Sequence, residues 1–132
     1  MCIFCKIVNG EIPSKTIYED EHVMAFLDIN PRSVGHTLLI PKNHYETFED
    51  IPDSEYEYIM KGIKKVLDIL KPLNYDGYNI LCNNKEVAGQ EVPHVHFHII
   101  PRYKDEKTVP IKFSDVVSSD LEEVYNIILK NK

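Results

Sequence analysis

Hydrophobic and polar positions alternate along the chain in short, well-punctuated blocks. Ile3 to Val8 predicts a short helix, ended by Asn9-Gly10. Thr16 to Glu19 and Val23 to Leu27 predict two strands joined by the acidic turn Asp20-Glu21-His22. The stretch "DINPRSVG", from Asp28 to Gly35, reads as a loop through its Asn-Pro pair and its glycine. His36 to Ile40 predicts a third strand, stopped by Pro41. Pro52-Asp53-Ser54 opens a helix, with Ser54 and Glu57 spaced as a capping box. Ile59, Met60, Ile63, Val66, Leu67 and Leu70 recur with helical period over Glu55 to Lys71, and Pro72 ends the run. Tyr78 to Asn83 predicts a fourth strand, "NNKEVAGQE" a polar loop, and His94 to Pro101 a fifth strand. Ser119 and Glu122 have capping-box spacing for a last helix reaching Leu129. Strands joined by short turns with one long helix predict an α+β fold around an antiparallel sheet. No repeat, low-complexity tract or linker divides residues 1–132, so a single domain is expected.

Composition narrows the class. The chain has 132 residues, 43% hydrophobic and 27% charged, enough for one real core. No apolar run approaches the ~18 residues of a membrane helix, so no membrane partner is expected. Lys6, Glu11, Lys15, Glu19, Asp20 and Glu21 leave no apolar signal segment, which points to a cytoplasmic protein. A net charge of −6 argues against nucleic acid as a main partner, because phosphate backbones are held by Lys/Arg patches. A small phosphorylated ligand stays possible, since backbone N–H groups and imidazoles hold phosphate locally. Three cysteines, Cys2, Cys5 and Cys82, are too few and too odd for a disulfide framework and fit a reducing compartment.

The chemistry concentrates in "PHVHFHIIPR". Three of the six histidines stand at alternate positions within five residues. Chance yields such a pattern with a probability on the order of one in a hundred. In a strand, His94, His96 and His98 share one face, while Val95, Phe97 and Ile99 share the other. The apolar face belongs against a core, so the histidine face is solvated, ligand-bound or catalytic. Alternate strand residues lie about 6.6 Å apart, too far for all three imidazoles to reach one metal with bonds of ~2.0–2.1 Å. A row of imidazoles suits an extended ligand such as a nucleotide's phosphate group. Cys2 and Cys5 form a lone CxxC, a weak zinc signal whose candidate partners are His44 and His94. Cys82, among aliphatic neighbours, reads as a buried free thiol, and His22 in its acidic turn as a solvated side chain.

"GQEVPHVHFHIIPR" resembles the histidine triad superfamily, and "CIFCKIVNGEIPSKTIYEDEHVMAFLDINP" and "GHTLLIPKNHYETFEDIPD" extend the likeness to its bacterial, Hint-like branch. The resemblance implies a fold with a five-stranded antiparallel sheet, one long helix and a short N-terminal helix, joined across a homodimer into a ten-stranded sheet. It implies that His96 is the nucleophile on the α-phosphorus of a nucleotide, that His98 hydrogen-bonds the phosphate, and that His36 flanks the site. It further implies that Asp28 holds the ribose hydroxyls, with Ile29, Phe4 and Ile7 near the base. Asn83, Gly89 and Gln90 are expected on the phosphate and leaving-group side. On pattern alone, Asp28 is equally a turn former, Phe4 and Ile7 are core residues, and Asn83, Gly89 and Gln90 are ordinary loop residues. Cys2, Cys5, His44 and His94 are the ligand set of a structural zinc site that some bacterial members look as if they use.

The expected activity is hydrolysis or transfer at the α-phosphate of purine nucleoside phosphoramidates, of the adenosine 5′-phosphoramidate type, through a nucleotidyl-histidine. A neutral imidazole is a good nucleophile at pH 7, and the chemical step is expected to need no cofactor. The rivals are a dinucleoside polyphosphate hydrolase, a zinc-dependent hydrolase using the histidines as ligands, and a nucleotide-binding interaction module without turnover. Glu91, expected with the nucleotide-binding residues, departs from the pattern: it stands where many eukaryotic members have Ser or Thr near the leaving group, and a carboxylate there would repel phosphate oxygens or change proton delivery. The chain also lacks tryptophan, and so the C-terminal aromatic feature of some eukaryotic members.

Overall fold

A computed structural model describes residues 2–106 and 111–130. Helix α1, Ile3–Val8, leads into strands β1, Thr16–Glu19, β2, Val23–Leu27, and β3, Thr37–Pro41. A 3-10 turn at Phe48–Asp50 precedes helix α2, Asp53–Ile69. Strands β4, Gly77–Leu81, and β5, Phe97–Arg102, complete the sheet, and helix α3, Leu121–Lys130, comes last. The sheet is antiparallel throughout, in the order β1-β2-β3-β5-β4.

The near-continuous apolar runs of β2 and β3 reflect burial on both faces. One face carries Val23, Ala25, Leu39, Val95, Phe97 and Ile99 against Ile59, Ile63, Val66 and Leu70. The other carries Met24, Phe26, Leu38 and Ile40 against Phe4 and Ile7 of α1. Each fully buried aliphatic side chain of α2 contributes about 1.5–3 kcal/mol, so Ile59, Ile63 and Val66 anchor the helix. Gly62 lets it approach closely: a Cβ there would meet Leu39 Cδ1 at 2.9 Å and Val23 Cγ2 at 3.0 Å.

Boundaries differ from the sequence expectations where side chains chose other partners. The Ser54–Glu57 capping box does not form. Pro52 is the N-cap of α2 and makes no side-chain capping bond, and a reciprocal box forms instead between Thr47 and Asp50. Asp120, not Ser119, caps α3: its Oδ1 accepts from the Glu123 N–H at 3.2 Å. Helix α2 ends at Ile69, and Lys71–Leu73 form a 3-10 turn. Strand β4 stops at Leu81. Pro41 belongs to β3, opposite Val23, while His36 stands just before it. Strand β5 begins only at Phe97, so His96 lies ahead of the ladder and His94 in a bend, its N–H bonded to the Val92 carbonyl at 2.8 Å.

Candidate active site

The histidine row survives this shift of boundary. His98 stands in β5 opposite Leu38 of β3 and Leu81 of β4. The Val95 N–H donates to the Tyr45 carbonyl at 2.7 Å and ties this segment to the loop after β3. Val95, Phe97 and Ile99 therefore enter the α2-side core, and the three imidazoles turn to the α1 side. The rings of His96 and His98 lie 5.0 Å apart, and the Phe4 ring stands nearly perpendicular to His96 at 5.1 Å and to His94 at 5.9 Å.

Hydrogen bonds assign the protons on this row. His96 Nδ1 lies 2.9 Å from the His94 carbonyl oxygen. A carbonyl only accepts, so Nδ1 carries the proton and Nε2 keeps its lone pair. His36 Nδ1 accepts from the Arg32 N–H at 3.0 Å, which places the His36 proton on Nε2. That Nε2 lies 2.9 Å from His98 Nδ1 and 3.5 Å from Asp28 Oδ2. Donation to His98 Nδ1 leaves the His98 proton on Nε2, ready to meet an anionic oxygen. Burial pushes the pKa of His36 and His96 down and that of His98 down to about 4, with His96 and His36 adding to the effect on His98. All three imidazoles are neutral at pH 7.

Two adjoining cavities meet at this row. One, of about 580 Å³, is lined by Phe4, Ile7, Asp28, Ile29, Glu91, His96 and His98, with Ile12, Lys15 and Val92 among the remainder. The other, of about 220 Å³, is lined by Asp28, Arg32, His36, Asn83, Gly89, Glu91, His96 and His98. Phe4 and Ile7 are thus both core and cavity wall, because α1 is one layer thick between sheet and cavity. Asp28 likewise does both things expected of it: Oδ1 accepts from the Asn30 N–H at 2.8 Å in a turn, and Oδ2 faces His36. Ile29 is almost fully exposed at the cavity rim. Gln90 stands outside the cavity that Asn83 lines, in the outer one it shares with Gly89 and Glu91. Its Oε1 accepts from the Lys85 N–H and its Nε2 donates to the Glu46 carbonyl, both at 2.7 Å, so its amide braces the loop and faces only an outer cavity. Arg32 and Lys15 escaped the sequence reading. Arg32 had a signal, as a cation between Asp28 and His36 in the chain, but its approach to the imidazoles depends on the loop's fold.

On the far side of Phe4, Cys2, Cys5, His44 and His94 converge. All pairwise distances among Cys2 Sγ, Cys5 Sγ, His44 Nδ1 and His94 Nδ1 run from 3.2 to 3.6 Å. Zinc in a tetrahedral site, with Zn–S ~2.3 Å and Zn–N ~2.0–2.1 Å, separates its ligand atoms by roughly 3.3–3.8 Å. His94 Nε2 donates to the Pro41 carbonyl at 2.9 Å, which leaves Nδ1 unprotonated toward the cluster. Donor set and spacing therefore fit zinc.

His96 and His98 face these cavities from an antiparallel sheet, while His94, the third imidazole of the row, faces the cysteine pair, and this is the arrangement of a histidine triad protein. The family model described as the HIT domain matches residues 9–105, and the chain belongs to that family. It is 63% identical over 124 residues to an uncharacterized HIT-like protein of Methanocaldococcus jannaschii, covering 94% of this chain and 95% of the other. It is 47% identical over 107 residues to an adenosine 5′-monophosphoramidase of Saccharomyces cerevisiae, covering 81% of this chain and 65% of that one. The crystal structure of a HIT family member from Bacillus subtilis superposes with a TM-score of 0.84 at 41% identity, over 98% of this chain and 94% of that chain. A zinc-bound histidine triad protein from Mycobacterium smegmatis superposes with a TM-score of 0.77 at 36% identity, over 86% and 84% of the two chains.

Proposed function

We propose that the protein hydrolyses purine nucleoside phosphoramidates, of the adenosine 5′-phosphoramidate type, through a nucleotidyl-His96 intermediate. The observation that carries this reading is the hydrogen bond from His96 Nδ1 to the His94 carbonyl, which leaves a neutral, unprotonated Nε2 at the junction of the two cavities. The base occupies the apolar cavity beside Phe4, Ile7 and Ile29, Asp28 takes the ribose hydroxyls, and the α-phosphate lies by His96 and His98. The His96 Nε2 lone pair attacks phosphorus, the bond to the leaving group breaks, and the electron pair departs with that group. His98 Nε2–H donates to a non-bridging oxygen as charge gathers there, with His36 fixing the His98 tautomer. Water then attacks phosphorus, the N–P bond breaks, and the nucleoside monophosphate leaves. None of these steps needs a metal. The relative named an adenosine 5′-monophosphoramidase supports the substrate class.

The zinc-dependent rival would use Asp28, His36 and His98, whose ligand atoms also cluster within 4.8 Å. Its weakness is that His98 Nδ1 already accepts the His36 proton. The test is monophosphate release from a panel of phosphoramidates and dinucleoside polyphosphates, with the wild type and His96→Ala. Release from phosphoramidates by the wild type alone is the expected result. Equal rates for the two proteins would remove the nucleophile, and tight nucleotide binding with no product would favour the interaction module.

Zinc at Cys2, Cys5, His44 and His94 is part of the same reading, with a structural role. It would tie the chain ahead of α1 to the loop after β3 and so hold Phe4 and Ile7 against the nucleotide. Thiolate ligands suit a reducing, cytoplasmic setting. The Mycobacterium smegmatis structure, described as zinc-bound, supports the choice of metal. Homodimerisation completes it, with β4 of two copies pairing into a ten-stranded sheet.

A further inference from the structure

Glu91 has no assigned work in the reading above, yet it is the one side chain that lines both cavities of the site and a third beyond them. That outer cavity, of about 770 Å³, is bounded by Glu46, Glu86, Gly89, Glu91 and Pro93, among others. Gly89 and Glu91 alone belong to both the phosphate cavity and the outer one. A group that departs from phosphorus toward the outer cavity therefore passes Glu91. The passage is acidic. Lys85 is paired with Glu46 at 2.5 Å, which leaves Glu86 and Glu91 uncompensated. No hydrogen bond or ion pair among the described residues engages the Glu91 carboxylate, which is exposed.

We propose that Glu91 selects the leaving group, favouring amines over sulfate or phosphate. The inference rests on the phosphoramidate reading and narrows it. The two classes develop opposite charge. The nitrogen of a phosphoramidate takes a proton from water before its P–N bond breaks, so it carries positive charge in the transition state; the bond pair then neutralises it, the amine departs, and the hydroxide left behind ends on phosphorus as the oxygen of the monophosphate. When the P–O bond of an adenylyl sulfate breaks, the pair stays on oxygen and sulfate leaves as a dianion. A fixed carboxylate stabilises the first transition state and opposes the second. Half a unit of charge developing about 7 Å from a carboxylate, at an effective dielectric near 20, changes a rate by about tenfold.

The test compares kcat/KM for AMP release from adenosine 5′-phosphoramidate and from adenosine 5′-phosphosulfate in the wild type, Glu91→Gln and Glu91→Thr. Both substitutions are expected to lower the amine-to-sulfate ratio at least tenfold. The melting temperature, which senses neither leaving group, is expected to stay within about 2 °C and shows that the fold is intact. An unchanged ratio in active variants overturns the role of Glu91 and leaves the phosphoramidate reading standing. A wild type that releases AMP from neither substrate overturns both.

Discussion

At the scale of single residues, the site works through proton placement. Three imidazoles of one sequence motif differ in which nitrogen keeps its lone pair uncommitted: Nδ1 in His94, Nε2 in His96, and in His98 neither, since Nδ1 accepts from His36 and Nε2 carries the proton. His96→Ala removes the nucleophile and should lower AMP release at least a thousandfold, while far-ultraviolet circular dichroism stays native. A variant within tenfold of wild type would refute that role. The buried, neutral state of these rings also makes a stability statement. His36, His94, His96 and His98 all have folded pKa values below the ordinary ~6.5, with His94 and His98 near about 4. Below pH 6.5 the unfolded chain binds more protons than the folded one, so their contribution is full above that pH and is lost as pH falls toward 4. Melting temperature of the chelator-treated protein should therefore drop between pH 6.5 and 5. A flat or rising curve over that window would contradict it. The motif's alternation was legible in the sequence; the tautomers were not, because the atoms that set them belong to carbonyls, a loop N–H and a ring distant in the chain.

At the scale of elements, α1 and α2 clamp the two faces of the sheet by different means. Helix α2 is held by packing, and Gly62 sits where it touches Leu39 and Val23. Gly62→Leu should cost about 1–3 kcal/mol in urea denaturation, because overpacking outweighs the gain in helix propensity. An unchanged midpoint would mean that the helix shifts freely on the sheet. Helix α1 has only six residues, too few to stand alone, and relies on Phe4, Ile7 and the Cys2–Cys5–His44–His94 cluster. Protein purified without a His tag under reducing conditions should hold one zinc per chain. Cys2→Ser/Cys5→Ser should lose it and raise KM more than it lowers kcat, because the base cavity loses its wall. Clearly substoichiometric metal, equal in the two proteins, would end the zinc proposal. The helical period of α2 was plain in the sequence. Its start was not, since Pro52 takes the N-cap position and the helix does without the Ser54–Glu57 box that the spacing offered.

At the scale of the whole molecule, the sheet has one bulged edge and one regular edge. Strand β1 carries a register shift between Thr16 and Tyr18, whereas β4 pairs residue for residue with β5 and offers its other side to solvent. Tyr78 and Ile80 on β4 are about half exposed. A regular, apolar, uncovered edge is open to pairing, and the proposed homodimer would continue the ladder across it, with a second copy meeting it antiparallel. Light scattering at micromolar concentration should give twice the 15.4 kDa chain mass, and Ile80→Lys should weaken association at least tenfold. A monomeric wild type would contradict this. No helix among the described residues is long and apolar enough to cross a membrane.

By itself the sequence determined what depends on near neighbours. Period-2 and period-3.6 hydrophobicity specified the sheet, the long helix and the shared face of His94, His96 and His98, because side-chain direction follows backbone geometry over a few residues. Only the tertiary structure decided what depends on residues far apart in the chain. It brought His44 to Cys2 and Cys5, set His36 against His98, turned Gln90 inward to brace a loop, and left Glu91 between the cavity beside His98 and an outer one. Those outcomes follow from strand order and loop closure, which bring together side chains that no local periodicity relates.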